Sequence, residues 1–336
     1  MKLKPRTFFR LIKESYISWN LNDPWARSAT IAYYALFSLP SLIIIVVHTA
    51  GYFFGTEAVQ GRINQEIGNF IGLEAANAVE DMVANAAINA NSTLAIIFGG
   101  GALIFGATGL FFQLKAAMNN IWSVTAKKET IWRTVINRMI SFGMVMVVGL
   151  LLLISLIIST LLKVVGEYLA EISQVFSMLM LNILNFAISF AIITSLFAAI
   201  FKWLPDVQVR WKITYLGAAM TTFLFLLGEF LISFYFGQTQ PGSVYGGASA
   251  VILILLWVYY TCLIVFFGAE FTQQYAFYKN EKIVPNQYAE PAIYQELERL
   301  EKKKSQFVDR DRIISIFQDK AQEIEHKKET GKQDEA

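Results

Sequence analysis

The chain has 336 residues, 55% of them hydrophobic and 16% charged, with a formal net charge of +2 and a mean hydropathy of +0.46. An ordinary soluble domain carries about 25% charged residues, and the deficit here is local, because long uncharged runs alternate with short charged ones. The near-zero net charge points to no polyanionic partner, and the single cysteine, Cys262, excludes an internal disulfide and a cysteine-built zinc site.

Residues 1–28 carry Lys2, Lys4, Arg6, Arg10, Lys13 and Arg27. Within them Phe8, Leu11, Ile12, Ser15, Tyr16 and Trp19 fall near one helical face. The segment reads as an interfacial helix lying on the membrane surface, or equally as an amphipathic helix packed on a bundle. The following apolar run is too long for a signal-peptide core and is expected to stay as a first span.

A bilayer core needs about 20 apolar residues in a helix. Six stretches qualify: 31–54, 94–114, 139–162, 175–200, 213–236 and 244–267. Their continuous apolarity, without strict alternation, excludes a β-barrel and leaves helices to satisfy the backbone in lipid. The expected fold is an all-α membrane protein: a six-span bundle over 29–275, a cytoplasmic interfacial segment before it, and a charged helical cytoplasmic tail over 276–336. Pro40 should kink the first span, because it removes a backbone donor.

The connection after the first span, 55–91, has Arg62 against Glu57, Glu66, Glu74, Glu80 and Asp81. Two patterns at helical spacing, Val59-Ile63-Ile67-Phe70 and Val79-Met82-Val83-Ala86, predict external amphipathic helices parted at Gly72. Basic residues return in the next connection as Lys127, Lys128, Arg133 and Arg138. The connection after that has Glu167 and Glu171, with Lys163 at the membrane edge; the one after the fourth span has Lys202, Arg210 and Lys212; the turn at 237–243 has no charge. Basic and non-basic connections alternate, so the positive-inside rule places both termini in the cytoplasm. Trp19, Trp25, Trp122, Trp132, Trp203 and Trp211 fall at the same boundary, where an indole buries its ring and keeps its N–H wet.

Inside the spans, Gly99, Ala102, Gly106, Gly109 and Gln113 form a stripe of small residues that lets helices approach closely. It directs Gln113, and Asn120 beyond it, toward protein or a cavity. Ionisable side chains in spans are costly and often mark ion, proton or substrate paths. Glu229, in the fifth span, is the strongest such candidate, the alternative being a carboxyl satisfied near the outer interface. Glu270 ends the sixth span, where snorkelling or a contact with a flanking Arg or Lys would also suffice. Asn182 and Asn185 share a face of the fourth span, as interhelical glue or as part of a polar cavity. His48 reads as a neutral residue bonded to a carbonyl rather than a proton relay.

Several pieces of the chain, in this order, resemble the YihY/BrkB family of membrane proteins, whose older members were named ribonuclease BN. They are Ala32-Tyr33-Tyr34-Ala35 with Ser38 and Pro40; Asn120-Ile121-Trp122; Leu204-Pro205; Tyr245-Gly246; Trp257-Val258-Tyr259; and Gly268-Ala269-Glu270. The resemblance covers about residues 10–275. It implies a cytoplasmic-membrane location and the same six spans, and it implies no defined chemistry. In one departure, Leu216 stands where the family often has a proline before Gly217-Ala218. The ribonuclease name finds no support in the residues: metal-dependent hydrolysis needs clustered histidines and carboxylates, and the only histidines are His48 and His326.

The expected function is translocation of a small solute, ion or envelope lipid, with Glu229, Asn182, Asn185, Gln113 and Glu270 as the candidate polar path. A non-transporting envelope scaffold is the alternative. Neither reading calls for a cofactor, a metal or nucleic acid. The expected partners are the lipid bilayer, a lipid or small-solute substrate, and further copies of the chain.

Overall fold

The computed structural model describes residues 5–38, 55, 61, 93–127, 174–239, 249–287 and 289–304. These hold seven helices: α1 (Pro5–Leu21), α2 (24–38), α3 (Thr93–Ile121), α4 (Gln174–Trp203), α5 (Trp211–Thr239), α6 (Ser249–Tyr278) and α7 (292–304). The expected third span, most of the first, the external helices of 57–89 and the chain beyond 304 lie outside the described residues.

The long helices follow from composition. Over its 30 residues α4 has no charge before Lys202, and over the same length α6 has only Glu270. At 1.5 Å per residue each runs about 45 Å, more than the roughly 30 Å of a bilayer core. Among the described residues, three helices are long and apolar enough to cross a membrane: α4 over Phe186–Trp203, α5 over Trp211–Ile232 and α6 over Val251–Tyr278. α6 runs on past 267, where the sequence suggested a span end, so Glu270 lies within the helix.

Helix ends are set by local chemistry. Asn22-Asp23-Pro24 turns the chain from α1 into α2, with Asp23 at φ 50° and its Oδ1 accepting from the Ala26 amide at 3.5 Å. Proline suits the first helical position, where no N–H is needed. α6 stops at Asn280, which is left-handed at φ 54°. There the Glu281 amide reaches back to the Ala276 carbonyl at 3.0 Å, the double-bonded ending that asparagine tolerates better than most residues.

One end of the bundle is tied together by two short antiparallel ribbons. β1 (Val124–Ala126), after α3, pairs with β4 (Ala289–Pro291). β2 (Val207–Gln208), between α4 and α5, pairs with β3 (Val284–Pro285). The α3 side chains Lys115 and Asn119 grip the same α4–α5 connection: Lys115 Nζ stands 3.0 Å from Asp206 Oδ2, and Asn119 Nδ2 donates to that oxygen at 2.9 Å. The ends of α3, α4 and α6 and the start of α5 therefore share one face. α4 starts at the far end from where α3 finishes.

The core between α5 and α6 is built on reciprocal small-residue contacts. A Cβ added at Gly217 would sit 1.8 Å from Thr272 Oγ1, and one at Gly268 would sit 1.8 Å from Thr221 Oγ1. Each threonine lies on the glycine of the facing helix and turns its hydroxyl to its own helix, Thr221 to the Gly217 carbonyl and Thr272 to the Gly268 carbonyl. On α3, Gly106 and Gly109 hold the same relation to α2, where a Cβ at Gly109 would meet the Tyr34 ring at 2.2 Å. Gly106 and Gly109 of the sequence stripe thus pack within the chain, against the start of the first span.

Candidate functional site

The polar centre of the described bundle lies where α1, α2, α3 and α6 meet. Glu270 is fully buried on α6. Its Oε1 accepts from Asn22 Nδ2 at 2.5 Å, and its Oε2 has no hydrogen-bond partner among the described residues. Asn22 is the hub: its side-chain oxygen accepts from Asn120 Nδ2 at 2.9 Å, and its backbone carbonyl accepts from Arg27 Nε at 2.9 Å. A void of about 10 Å³ lies among Trp19, Asn22, Arg27, Ala117, Phe266 and Glu270, which is about the room one water molecule needs.

The surroundings fix this arrangement. α1 packs its buried stripe of Leu11, Ser15 and Trp19 against the bundle. The Trp19 indole donates to the Leu263 carbonyl of α6 at 3.1 Å, Phe8 meets Phe271 edge-on at 6.1 Å, and Gln274 donates to Ser18. On the next turn of α6, Gln273 donates to the Ile121 carbonyl, binding α6 to the end of α3. Of the two expected dispositions of α1, packing on the bundle describes one face. Phe9, Tyr16, Ile17 and Leu21 remain exposed on the rest.

Glu270 is thus buried rather than snorkelling, and among the described residues it makes no salt bridge to a lysine or arginine; its partner is an amide from the α1–α2 turn. A neutral amide donates one hydrogen bond and adds no opposing charge, so a buried carboxyl held this way is electrostatically expensive. Trp19 and Trp122 also depart from the expected interfacial role. Both are buried, at 8% and 3% exposure, and Trp19 takes a helix carbonyl in place of water. Trp25, Trp203 and Trp211 are exposed as expected.

Glu229 is half-buried on α5, within electrostatic reach of Tyr260 on α6. The Tyr260 hydroxyl occupies the space above Gly228, where a Cβ would fall 0.8 Å from it. The two carboxyls are not brought together: Glu270 lies near the ribbon end and Glu229 farther along the helix pair. Gln113 is half-buried on α3. Asn182 and Asn185 belong to the first turns of α4, and their side chains lie outside the described residues.

The motif residues have mixed roles. Tyr33 is exposed and stacks edge-on with Phe37 at 5.1 Å. Pro205 is buried in the α4–α5 connection, Trp257 packs edge-on against Phe225 at 6.2 Å, and Tyr259 lines the core. Gly268 is the seat of Thr221. Pro40, Tyr245 and Gly246 lie outside the described residues. Sequence reasoning missed Asn22, which holds Glu270; its only signal was an amide in a turn between two helical patterns.

A bundle whose described residues include three helices long and apolar enough to cross a membrane, pinned at one end and carrying a buried carboxyl, fits an integral membrane protein. The chain belongs to the Virulence factor BrkB family, whose model matches residues 19–292. The chain is 23% identical over 267 residues to the ribonuclease-like protein YfkH of Bacillus subtilis, covering 77% of this chain and 92% of that one. It is 25% identical over 244 residues to a UPF0761 membrane protein of Psychromonas ingrahamii, covering 72% and 79%. To a UPF0761 membrane protein of Pseudoalteromonas atlantica it is 28% identical over 245 residues, covering 72% and 78%. These names describe membrane proteins and a virulence factor and define no enzyme; only the label of YfkH mentions a nuclease. No solved structure matches the chain.

Proposed function

We propose that this protein translocates a small solute, ion or envelope lipid across the cytoplasmic membrane, through a six-span bundle with both termini in the cytoplasm. The observation that carries the reading is Glu270: fully buried, with one oxygen unpartnered, beside a water-sized void. A chain keeps such a group against its desolvation cost when the group has work to do. Glu229 and Tyr260 supply a second polar point along the same helix pair.

The topology supports the reading. The connections that gather at the ribbon end are those rich in lysine and arginine, the cytoplasmic ones by the positive-inside rule. Glu270 then lies near the cytoplasmic mouth and Glu229 in the outer half. Native mass spectrometry of gently extracted protein tests the substrate class. A selectively retained lipid or solute identifies what the bundle handles, and Glu270→Gln should lose it while staying folded. Retention of bulk lipid alone, unchanged by Glu270→Gln and by Glu229→Gln, would remove both carboxyls from the mechanism.

The scaffold reading has one observation in its favour, the exposed apolar residues of α7. A surface of that kind is equally compatible with translocation.

A further inference from the structure

α7 is an amphipathic helix attached by its polar side. Gln295 donates to the Ala126 carbonyl at 2.9 Å and accepts from Thr125 Oγ1 at 3.0 Å, fastening the helix to β1. At 100° per residue, Ile293, Leu297 and Leu300 fall within an arc of about 60°, and Gln295 lies on the opposite side. These three apolar side chains are accordingly 64%, 50% and 53% exposed, and Tyr294 beside them is 61% exposed. A helix normally turns this stripe inward. Here the fastening turns it outward.

We propose that the Ile293–Leu297–Leu300 stripe is a self-association surface, on which α7 pairs antiparallel with α7 of a second copy of this chain. The spacing of four and then three residues is that of a coiled-coil seam. Charge selects the direction. Glu296 and Lys303 flank the same edge of the stripe, seven residues apart. In antiparallel register Leu297 meets Leu300 of the second copy and Glu296 meets Lys303 of the second copy, twice by symmetry. In parallel register Glu296 would face Glu301, a like-charge contact. Glu296 makes only a loose 4.0 Å pair with Arg299, with both side chains well exposed, so little holds it back. A two-fold pairing of identical stripes closes on itself, as most homo-oligomers do. A bilayer surface is the competing occupant: Arg299, Lys302, Lys303 and Lys304 could meet anionic headgroups, but Glu296, Glu298 and Glu301 on the same short helix offset most of that attraction.

The test uses full-length protein in native membranes. In a Cys262→Ala background, a Leu297→Cys chain co-expressed with a Leu300→Cys chain should give, on addition of a mild oxidant, a disulfide-linked dimer of the two. Glu296→Lys alone and Lys303→Glu alone should each lose that band, and the two together should restore it. These positions are exposed, so the bundle's thermal unfolding should not change. Absence of the band, equal bands for single and double reversals, or labelling of α7 by a photoreactive anionic lipid in place of dimer formation would each overturn the proposal.

Discussion

Asn22 and Glu270 are 248 positions apart in the chain and share one hydrogen bond. Replacing Asn22 by Ala leaves the buried carboxyl without that donor and frees the Asn120 amide, while the backbone carbonyl that Arg27 bonds is kept. Loss of a buried partner costs about 1–3 kcal/mol, so Asn22→Ala should lower the midpoint of thermal unfolding in detergent; an unchanged midpoint would mean that Glu270 is satisfied otherwise. Glu270→Gln keeps an acceptor for Asn22 and should unfold near the wild-type temperature. The carboxyl itself was legible in the sequence as an ionisable residue at the end of an apolar run. Its environment was not, because nothing in a local pattern tells which distant turn will cover it.

At the scale of elements, the α5–α6 contact depends on absent side chains. Gly268→Ala would push a methyl group against Thr221 Oγ1, and overpacking of this kind costs about 1–3 kcal/mol. Thr221→Gly in the same chain should recover most of the loss, a coupling measurable as a double-mutant cycle in unfolding free energy. Additive effects of the two changes would show that the helices do not meet there. Among the described residues, α3 to α6 were readable from uninterrupted apolar runs, although α3 runs to Ile121 and α6 to Tyr278, well past the expected span ends at 114 and 267. The ribbons were not: pairings of two or three residues are too short to show a strand period. Their partners include the segment after α6, which composition alone had assigned to a solvated tail.

At the scale of the whole molecule, the ribbons make a claim about sidedness. Lys127 and Gln208 are exposed near the pinned end, so Lys127→Cys and Gln208→Cys should both react with a membrane-impermeant maleimide only in inside-out vesicles. Labelling of the two from opposite sides would break the alternating topology. The charge pattern predicts that these connections lie on one side of the membrane, and the labelling tests that expectation. The central proposal is that the acidic side chains Glu270 and Glu229 serve movement across the bilayer. The direct measurement is flux in proteoliposomes, with fluorescent phosphatidylglycerol and phosphatidylethanolamine to follow lipid movement and a luminal pH dye and radiolabelled sodium to follow ions. The account predicts movement of at least one probe by wild-type protein, lost at least ~10-fold in both Glu270→Gln and Glu229→Gln with folding intact, a change of about 1.4 kcal/mol or more in the barrier. Equal flux through wild type and both variants would contradict it.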